Sequence, residues 1–540
     1  MIRQASADGS GRALLPAGRA RPGCATLRAV ISSLADLLRT HAAERPEGIA
    51  LVLEQRTVTW AQLYARACQV AQALAAEGVG SQDRVAFLDR NGIEHVEVLY
   101  GAALLNAVVV PVNWRLATPE IAVIIEDSGA DLLIVGPDYV PASDGLTVKR
   151  SIVIGQDYEP WLDAQDVRDP GAAPSGQDVA FQLYSSGTTG RPKGVMLVND
   201  NLFQETLLEF FQSHWGVHEG SVNLVAMPLF HIGGTGWAVA GMAVGAVSVL
   251  VRDLDPSRLV SLIAEQRITH GFLVPAALQF MLAVPGVEQA DFSSLDTLVY
   301  GASPISDQVL RASLKVFGCR FWQVYGLTET TGGVIHLPPA DHDPDGPHAE
   351  RLRSCGLPGP GVEVRIVDLV SGADAATGEV GEILIRSQQV MKGYWRNEAA
   401  TAEAIDADGW FRSGDVGYLD ADGYVFLHDR VKDMIVSGGE NVYPAEVENV
   451  LMGIPGVADA AVIGVPSERW GETPKAVLVK SPGSELSEAE VLAACRERLA
   501  GFKCPTSVDW ADVLPRNPSG KLLKKDLRAP YWVGYERKVN

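Results

Sequence analysis

Cysteine is sparse: six in 540 residues, at positions 24, 68, 319, 355, 495 and 504. No two form a CxxC pair and none stands at zinc-ligand spacing from a histidine, which argues against a disulfide scaffold and a zinc module. Buried or surface thiols in a reducing cytoplasm are the expectation. Positive charge is also short. Lys and Arg number 45 against 66 Asp and Glu, a formal net charge of −21. Such a chain is a poor partner for nucleic acid or an anionic membrane, and peripheral membrane contact is the most expected of it. No solenoid-type repeat and no long low-complexity tract occur. A secretory signal is excluded, because Arg3, Arg12, Arg19, Arg21 and Arg28 interrupt the first ~30 residues and leave no apolar core. Residues 1–32 are expected to be a disordered leader.

Acidic and basic residues are missing altogether from Val225 to Val251, a length that would permit a membrane span. Pro228 and Gly233–Gly234 break its first part, however, and Ala246 to Val251 is rich in β-formers. A buried loop, a helix and a core strand are predicted instead. Elsewhere helix and strand patterns alternate. Thr59 to Glu77 has apolar residues at helical spacing, closed by Gly78, and Arg84 to Leu88 reads as a buried strand. Glu94 to Leu105 is predicted helical, and Val108 to Val112, Asp131 to Val135 and Val247 to Val251 are predicted strands. The alternation predicts an α/β fold of parallel sheets faced by helices. Dense glycine and proline between Cys355 and Gly361 precedes a smaller β unit, with strands at Val362 to Val367 and Val380 to Arg386. Beyond it, two strands (Ala460 to Val465, Ala476 to Val479) and a helix near Glu488 to Leu499 predict a separate small α+β domain. The expected division is 33–430 for the large domain and 431–540 for the small one.

The sharpest local signal is Tyr184-Ser185-Ser186-Gly187-Thr188-Thr189-Gly190-Arg191-Pro192-Lys193-Gly194, at the end of the apolar run Val179 to Leu183. Its glycines let backbone N–H groups approach a ligand, and its hydroxyls and Lys193 offer donors to phosphate oxygens. It is not a Walker A loop, because Gly194 rather than Ser or Thr follows the lysine. Four further segments stand out: Tyr325-Gly326-Leu327-Thr328-Glu329-Thr330; Trp410 to Asp415; Asp429 to Ile435 followed by Ser437 to Asn441; and Pro515 to Lys521.

Together and in this order, these segments resemble the AMP-forming, adenylate-forming enzymes: acyl-CoA synthetases, aryl-CoA ligases, firefly-type luciferases and peptide-synthetase adenylation domains. The resemblance spans about residues 33 to 530. It implies an enzyme that joins a carboxylic acid to AMP with ATP and Mg²⁺, then passes the acyl group to CoA. It also implies roles for single residues. Ser185, Ser186, Gly187, Thr188, Thr189, Gly190 and Lys193 would hold the phosphates, with Thr188 catalytic. Tyr325 would flank adenine beside Gly326, Thr328 would reach phosphate, and Glu329 would help hold Mg²⁺. Gly301, Ala302 and Ser303 would line the edge beside adenine and the acyl carbonyl, and Asp415 would accept the ribose hydroxyls. Arg430 would reach ribose or phosphate, Lys432 would be the hinge, and Gly438 and Gly439 would line the pantetheine channel. Lys521 would bridge carboxylate and α-phosphate; one charge ~4 Å from an anion is worth ~1 kcal/mol in water and ~4 in a drier site.

The same resemblance makes residues 228–251 much of the acyl pocket. His231, Gly234, Thr235, Trp237 and Ala238 are its candidate lining. His231 either orients the carboxylate or simply packs; Trp237 either caps the pocket or belongs to the core. No acid lies between Leu224 and Arg252, which speaks against amino-acid activation. A medium- or long-chain fatty acid is expected, with aryl or sterol side-chain acids close behind. A ligase that loads a carrier protein and a membrane-associated fatty-acid uptake protein stay open as alternatives, as does a homodimer.

Overall fold

The computed structural model describes residues 31–186, 192–303, 305–430, 433–437, 440–467, 469–516 and 522–533. Among these, two large sheets carry the architecture. One has nine strands and runs, from edge to edge, through Leu357–Pro358, Gly332–Leu337, Arg320–Leu327, Thr297–Gly301, His270–Leu273, Val222–Val225, Val247–Leu250, Ile49–Leu53 and Arg56–Thr59. Its inner pairs are parallel and both edges are antiparallel. The other has seven strands: Gly393–Tyr394, Pro192–Val198, Val179–Ser186, Val108–Pro111, Arg84–Leu88, Leu132–Val135 and Arg150–Val153. This is the mixed α/β arrangement expected from alternating helix and strand patterns.

The helices between the sheets follow from local chemistry. Thr59 caps the helix Trp60–Ala76 in a reciprocal box with Gln62, which satisfies two backbone donors of the first turn. The helix Ile93–Leu104 is buried on every side except at Glu94, as its nearly continuous apolar sequence requires of a helix lying between two layers. With Leu34–Glu44 these helices join both sheets in one core, in which Val85 and Phe87 of the seven-stranded sheet and Leu51 and Val249 of the nine-stranded one take part. The charge-free stretch resolves into a buried loop, the helix Ile232–Ala243 and the core strand Val247–Leu250. No helix among the described residues is long and apolar enough to cross a membrane.

A four-stranded antiparallel sheet (Glu363–Val367, Gly381–Arg386, Phe411–Leu419, Val425–Arg430) forms the smaller β unit. The C-terminal part builds its own core around Ile435, Val447, Val462, Leu478, Val491 and Val508. Its long hairpin of Val457–Ser467 and Gly471–Lys480 extends further than the predicted strands, because the alternation weakens where polar residues enter the pairing. The leader, apart from Ile31 and Ser32, lies outside the described residues.

Candidate active site

Parallel strands leave their C-terminal ends open for ligands, since the crossover loops there are free of sheet pairing. Three sheets meet at such an edge. Ser185 comes from the end of Val179–Ser186, and Tyr394 from the short strand two places away in the same sheet. Tyr325 and Gly326 lie near the end of Arg320–Leu327, and Thr328 and Glu329 lie on the 3-10 turn that follows it. Asp415 comes from the four-stranded sheet.

Their side chains converge. The Ser185 hydroxyl donates to Glu329 Oε1 at 2.9 Å, and the Tyr394 hydroxyl donates to the same oxygen at 3.1 Å. Glu329 is only 8% exposed. Burial, then the neighbouring Glu329 charge, raises the Tyr394 pKa, so its hydroxyl stays protonated and keeps donating. The Lys193 ammonium lies 4.7 Å from the centre of the Tyr394 ring. At the other end the Tyr325 hydroxyl donates to Asp415 Oδ2 at 2.7 Å, and both residues are buried. The backbone register sets Asp415 opposite Arg430. Gly326 is held against the turn so closely that a Cβ there would sit 1.8 Å from the Gly332 carbonyl oxygen.

The donor set fits a magnesium nucleotide. No group of three His, Cys, Asp or Glu able to hold a metal occurs among the described residues. Glu329 is instead a single buried carboxylate hydrogen-bonded by Ser185. Mg²⁺ suits such a place, because it is commonly held by one or two carboxylates plus substrate phosphates.

Gly301 ends its strand, and Ala302 and Ser303 follow it. Ala302 has a positive φ of 68°, a conformation uncommon outside glycine, which turns the chain sharply beside Tyr325. His231 caps the helix Ile232–Ala243, and Gly234, Thr235, Trp237 and Ala238 lie on its first turns. Burial, then the charge of Arg115, pushes the His231 pKa down to about 4, and its Nε2 has no hydrogen-bond partner. Thr235 donates its hydroxyl to the Leu229 carbonyl and so belongs to the helix start. Trp237 donates Nε1–H to the Leu224 carbonyl at 3.0 Å and packs near Trp215 and Phe272. Of the two readings left open for Trp237, the core role is met; its ring also lines the space beneath the helix.

Gly187, Thr188, Thr189, Gly190, Lys432, Gly438, Gly439 and Lys521 lie outside the described residues, as do the side chains of Ser186 and Arg430. Tyr394 was missed from sequence. Its only signal is a glycine (Gly393) ahead of two aromatics, and its link to Glu329 spans 65 residues.

Comparison with known proteins accounts for this assembly. The model of the AMP-binding enzyme family matches residues 38–395, and that of the AMP-binding enzyme C-terminal domain matches residues 446–521. The chain belongs to the AMP-binding enzyme family. It is an AMP-forming acid–thiol ligase with the adenylate-forming fold. It is 40% identical over 516 residues to a fatty acid–[acyl-carrier-protein] ligase, ScoC, of Streptomyces coeruleorubidus, covering 94% of this chain and 98% of that protein. It is 41% identical over 473 residues to a feruloyl-CoA synthase of Amycolatopsis sp, covering 87% and 93%. Among solved structures, o-succinylbenzoate coenzyme A synthetase from Bacillus subtilis, in complex with ATP and magnesium ion, superposes with a TM-score of 0.81 at 32% identity. The match covers 91% of this chain and 98% of that one.

Proposed function

We propose that this ligase is an acyl-CoA synthetase that activates a hydrophobic carboxylic acid as acyl-AMP and transfers the acyl group to CoA. The observation that carries the reading is the joining of Ser185, Tyr394 and Glu329 across the two large sheets, next to the buried Tyr325–Asp415 pair. Asp415 accepts the ribose hydroxyls, Tyr325 flanks adenine between Gly326 and the Gly301–Ser303 turn, and Thr328 faces the phosphates. Ser185 and Tyr394 hold Glu329 in one rotamer, so its carboxylate is oriented before the nucleotide arrives. Magnesium, when bound at Glu329, supplies neutralising charge between the two anionic reactants. The loop from Ser186 to Lys193, with Thr188 at its centre, holds the polyphosphate. Lys521 bridges carboxylate and α-phosphate, and steadies charge that grows on phosphorus during attack.

The second half-reaction needs the lysine out of the way and a path for a thiol. The C-terminal part, with its own core, turns about Lys432 so that Gly438 and Gly439 replace Lys521 at the site. The acid is an aryl-bearing one of cinnamate-like length. Trp215, Trp237, Phe211 and Phe272 supply an apolar aromatic wall suited to a ring. A medium- or long-chain fatty acid is the second reading. It is favoured by the small residues Ala238, Ala240 and Gly241, which leave the helix thin along this wall.

Pyrophosphate release and CoA-dependent AMP formation across cinnamates, phenylalkanoates and aliphatic acids test both steps. Turnover on one class, lost at the first step in Lys521→Ala, is expected. Pyrophosphate release with no response to CoA, but with transfer to a phosphopantetheinylated carrier protein, would overturn the CoA assignment.

A further inference from the structure

The helix Ile232–Ala243 runs back along the strand Val222–Val225, away from the nucleotide. At its start a Cβ on Gly234 would lie 2.1 Å from the Pro228 carbonyl oxygen; at its far end a Cβ on Gly241 would lie 2.4 Å from Asn223 Nδ2. These two contacts are seven residues apart on the helix, or ~10 Å along its axis. Asn223 therefore lies under the far end of the helix whose start is capped by His231.

A cavity of about 10 Å³ lies at that deep end, lined by Phe211, Trp215, Val217, Asn223, Trp237 and Gly241, with Ala240 beside them. Its lining residues carry no charge, but two of them each hold a buried polar atom without a hydrogen-bond partner: Asn223 Oδ1 and Trp215 Nε1. Asn223 is 1% exposed and Trp215 is 5% exposed. The amide nitrogen of Asn223 points to the Trp237 carbonyl at 3.4 Å, which leaves the acceptor oxygen as its unused group. Buried polar atoms are normally paired, and an unpaired one costs about 1–3 kcal/mol. Two of them on residues that line one cavity make a demand on whatever enters.

That demand has a specific chemistry. Asn223 Oδ1 can only accept, and the indole N–H of Trp215 can only donate. A hydroxyl group satisfies both at once. A methyl satisfies neither, a carbonyl only the tryptophan, and a carboxylate or ammonium would be left charged in an apolar wall. The volume also suits it: about one water-sized group fits, so the tip of an acyl group fits and a long alkyl continuation does not without displacing Trp215 or Trp237.

We propose that Asn223 and Trp215 form a polar end-stop of the acyl pocket that selects acids carrying a hydroxyl at the end remote from the carboxylate. This rests on the acid-activating reading given above. The phenolic hydroxyl of an arylalkanoate and the terminal hydroxyl of a medium-chain acid present the same group, and matched pairs separate the two sources.

The test compares kcat/KM for pyrophosphate release on 3-(4-hydroxyphenyl)propanoate against 3-phenylpropanoate, and on 8-hydroxyoctanoate against octanoate. The wild-type enzyme is expected to favour the hydroxylated member of at least one pair by on the order of 10- to 100-fold. Trp215→Phe keeps the ring and removes the N–H; Asn223→Leu removes the acceptor. Each variant, with its melting temperature recorded, is expected to bring that ratio close to one. A ratio near one in the wild type overturns the end-stop. So does a ratio that survives in Trp215→Phe, which would assign the two polar atoms to a buried water. If no acid of any kind releases pyrophosphate in the wild type, it is the ligase reading that fails.

Discussion

Acidification from pH 7.5 to 5.5 should destabilise this enzyme by several kcal/mol, because four of its histidines besides His231 are buried neutral. His95, His270, His336 and His342 are 3%, 1%, 1% and 7% exposed. Burial is the largest cause in each case and pushes their pKa values down to about 3, 4, 3 and 4. Weaker neighbours modify this. Asp296 and the Trp215 carbonyl favour the charged form of His270 while Arg320 and His218 oppose it, Asp341 and the Pro338 carbonyl favour it at His342, and His214 opposes it at His336. Each folded value lies below the unfolded value of about 6.5, so the unfolded chain binds more protons between them. The stability they contribute is therefore complete above pH 6.5. It is lost as pH falls from there toward 3–4. At pH 5.5 each histidine has given up about 1.3 kcal/mol, about 5 for the four together. That is comparable with the whole stability of a typical protein, 5–15 kcal/mol. Thermal melts at pH 7.5, 6.5 and 5.5 measure it. The expected fall is gradual to 6.5 and steep below. His95→Leu, which replaces a ring tilted against Phe87 at 4.3 Å, should make the slope shallower by about a fifth. A melting temperature that is flat between pH 7.5 and 5.5, or a His95→Leu slope equal to the wild-type slope, would refute the reasoning.

Three other outcomes are expected. Glu329→Gln keeps the shape but removes the carboxylate charge that attracts magnesium, so acid-dependent ATP–pyrophosphate exchange should fall by roughly 100-fold and respond less to added Mg²⁺. Lys521→Ala should lose roughly 100- to 1000-fold in acyl-AMP formation, from a charge worth ~4 kcal/mol at a drier site, while thioester formation from supplied acyl-AMP is spared; single-turnover assays of each step distinguish them. Gly326→Ala forces a methyl against the Gly332 carbonyl at the nucleotide edge. It should lower the melting temperature and weaken ATP binding together, by about 1–3 kcal/mol, as read by calorimetry.

What sequence made visible was local chemistry. The helical run Thr59 to Glu77, the strand Arg84–Leu88, and the division of residues 225–251 into loop, helix and strand all follow from patterns within one element. Pro111 is an instructive exception. It falls inside the predicted strand Val108 to Val112 and ends the observed one, Val108–Pro111, in register with Phe87, because a strand's last residue can forgo a ladder donor. The site motifs were legible as segments, but the bonds between them were not. Ser185 meets Glu329 across 144 residues and Tyr325 meets Asp415 across 90. No periodicity reports which hydroxyl reaches which carboxylate over such distances. Asn223 was hidden for a related reason: in a buried strand it reads as one polar residue among apolar neighbours, and only the packing of Gly241 and Trp215 around it exposes its unused oxygen.

Glu329 and Asp415 are tied to different sheets, but both ties pass through the strand Arg320–Leu327 and its turn. The helix Ile232–Ala243, proposed to face the acid, is in contrast seated by Gly234 and Gly241 on the strand Val222–Val225 and the loop after it, several strands away in the same sheet. The two halves of substrate recognition therefore hang from separate rails of one frame. Lineages descended from such a frame can exchange one acid for another by altering the rail beneath the helix, with the nucleotide machinery untouched. A designer who wants a new thioester has the same freedom, and the place to begin is position 223.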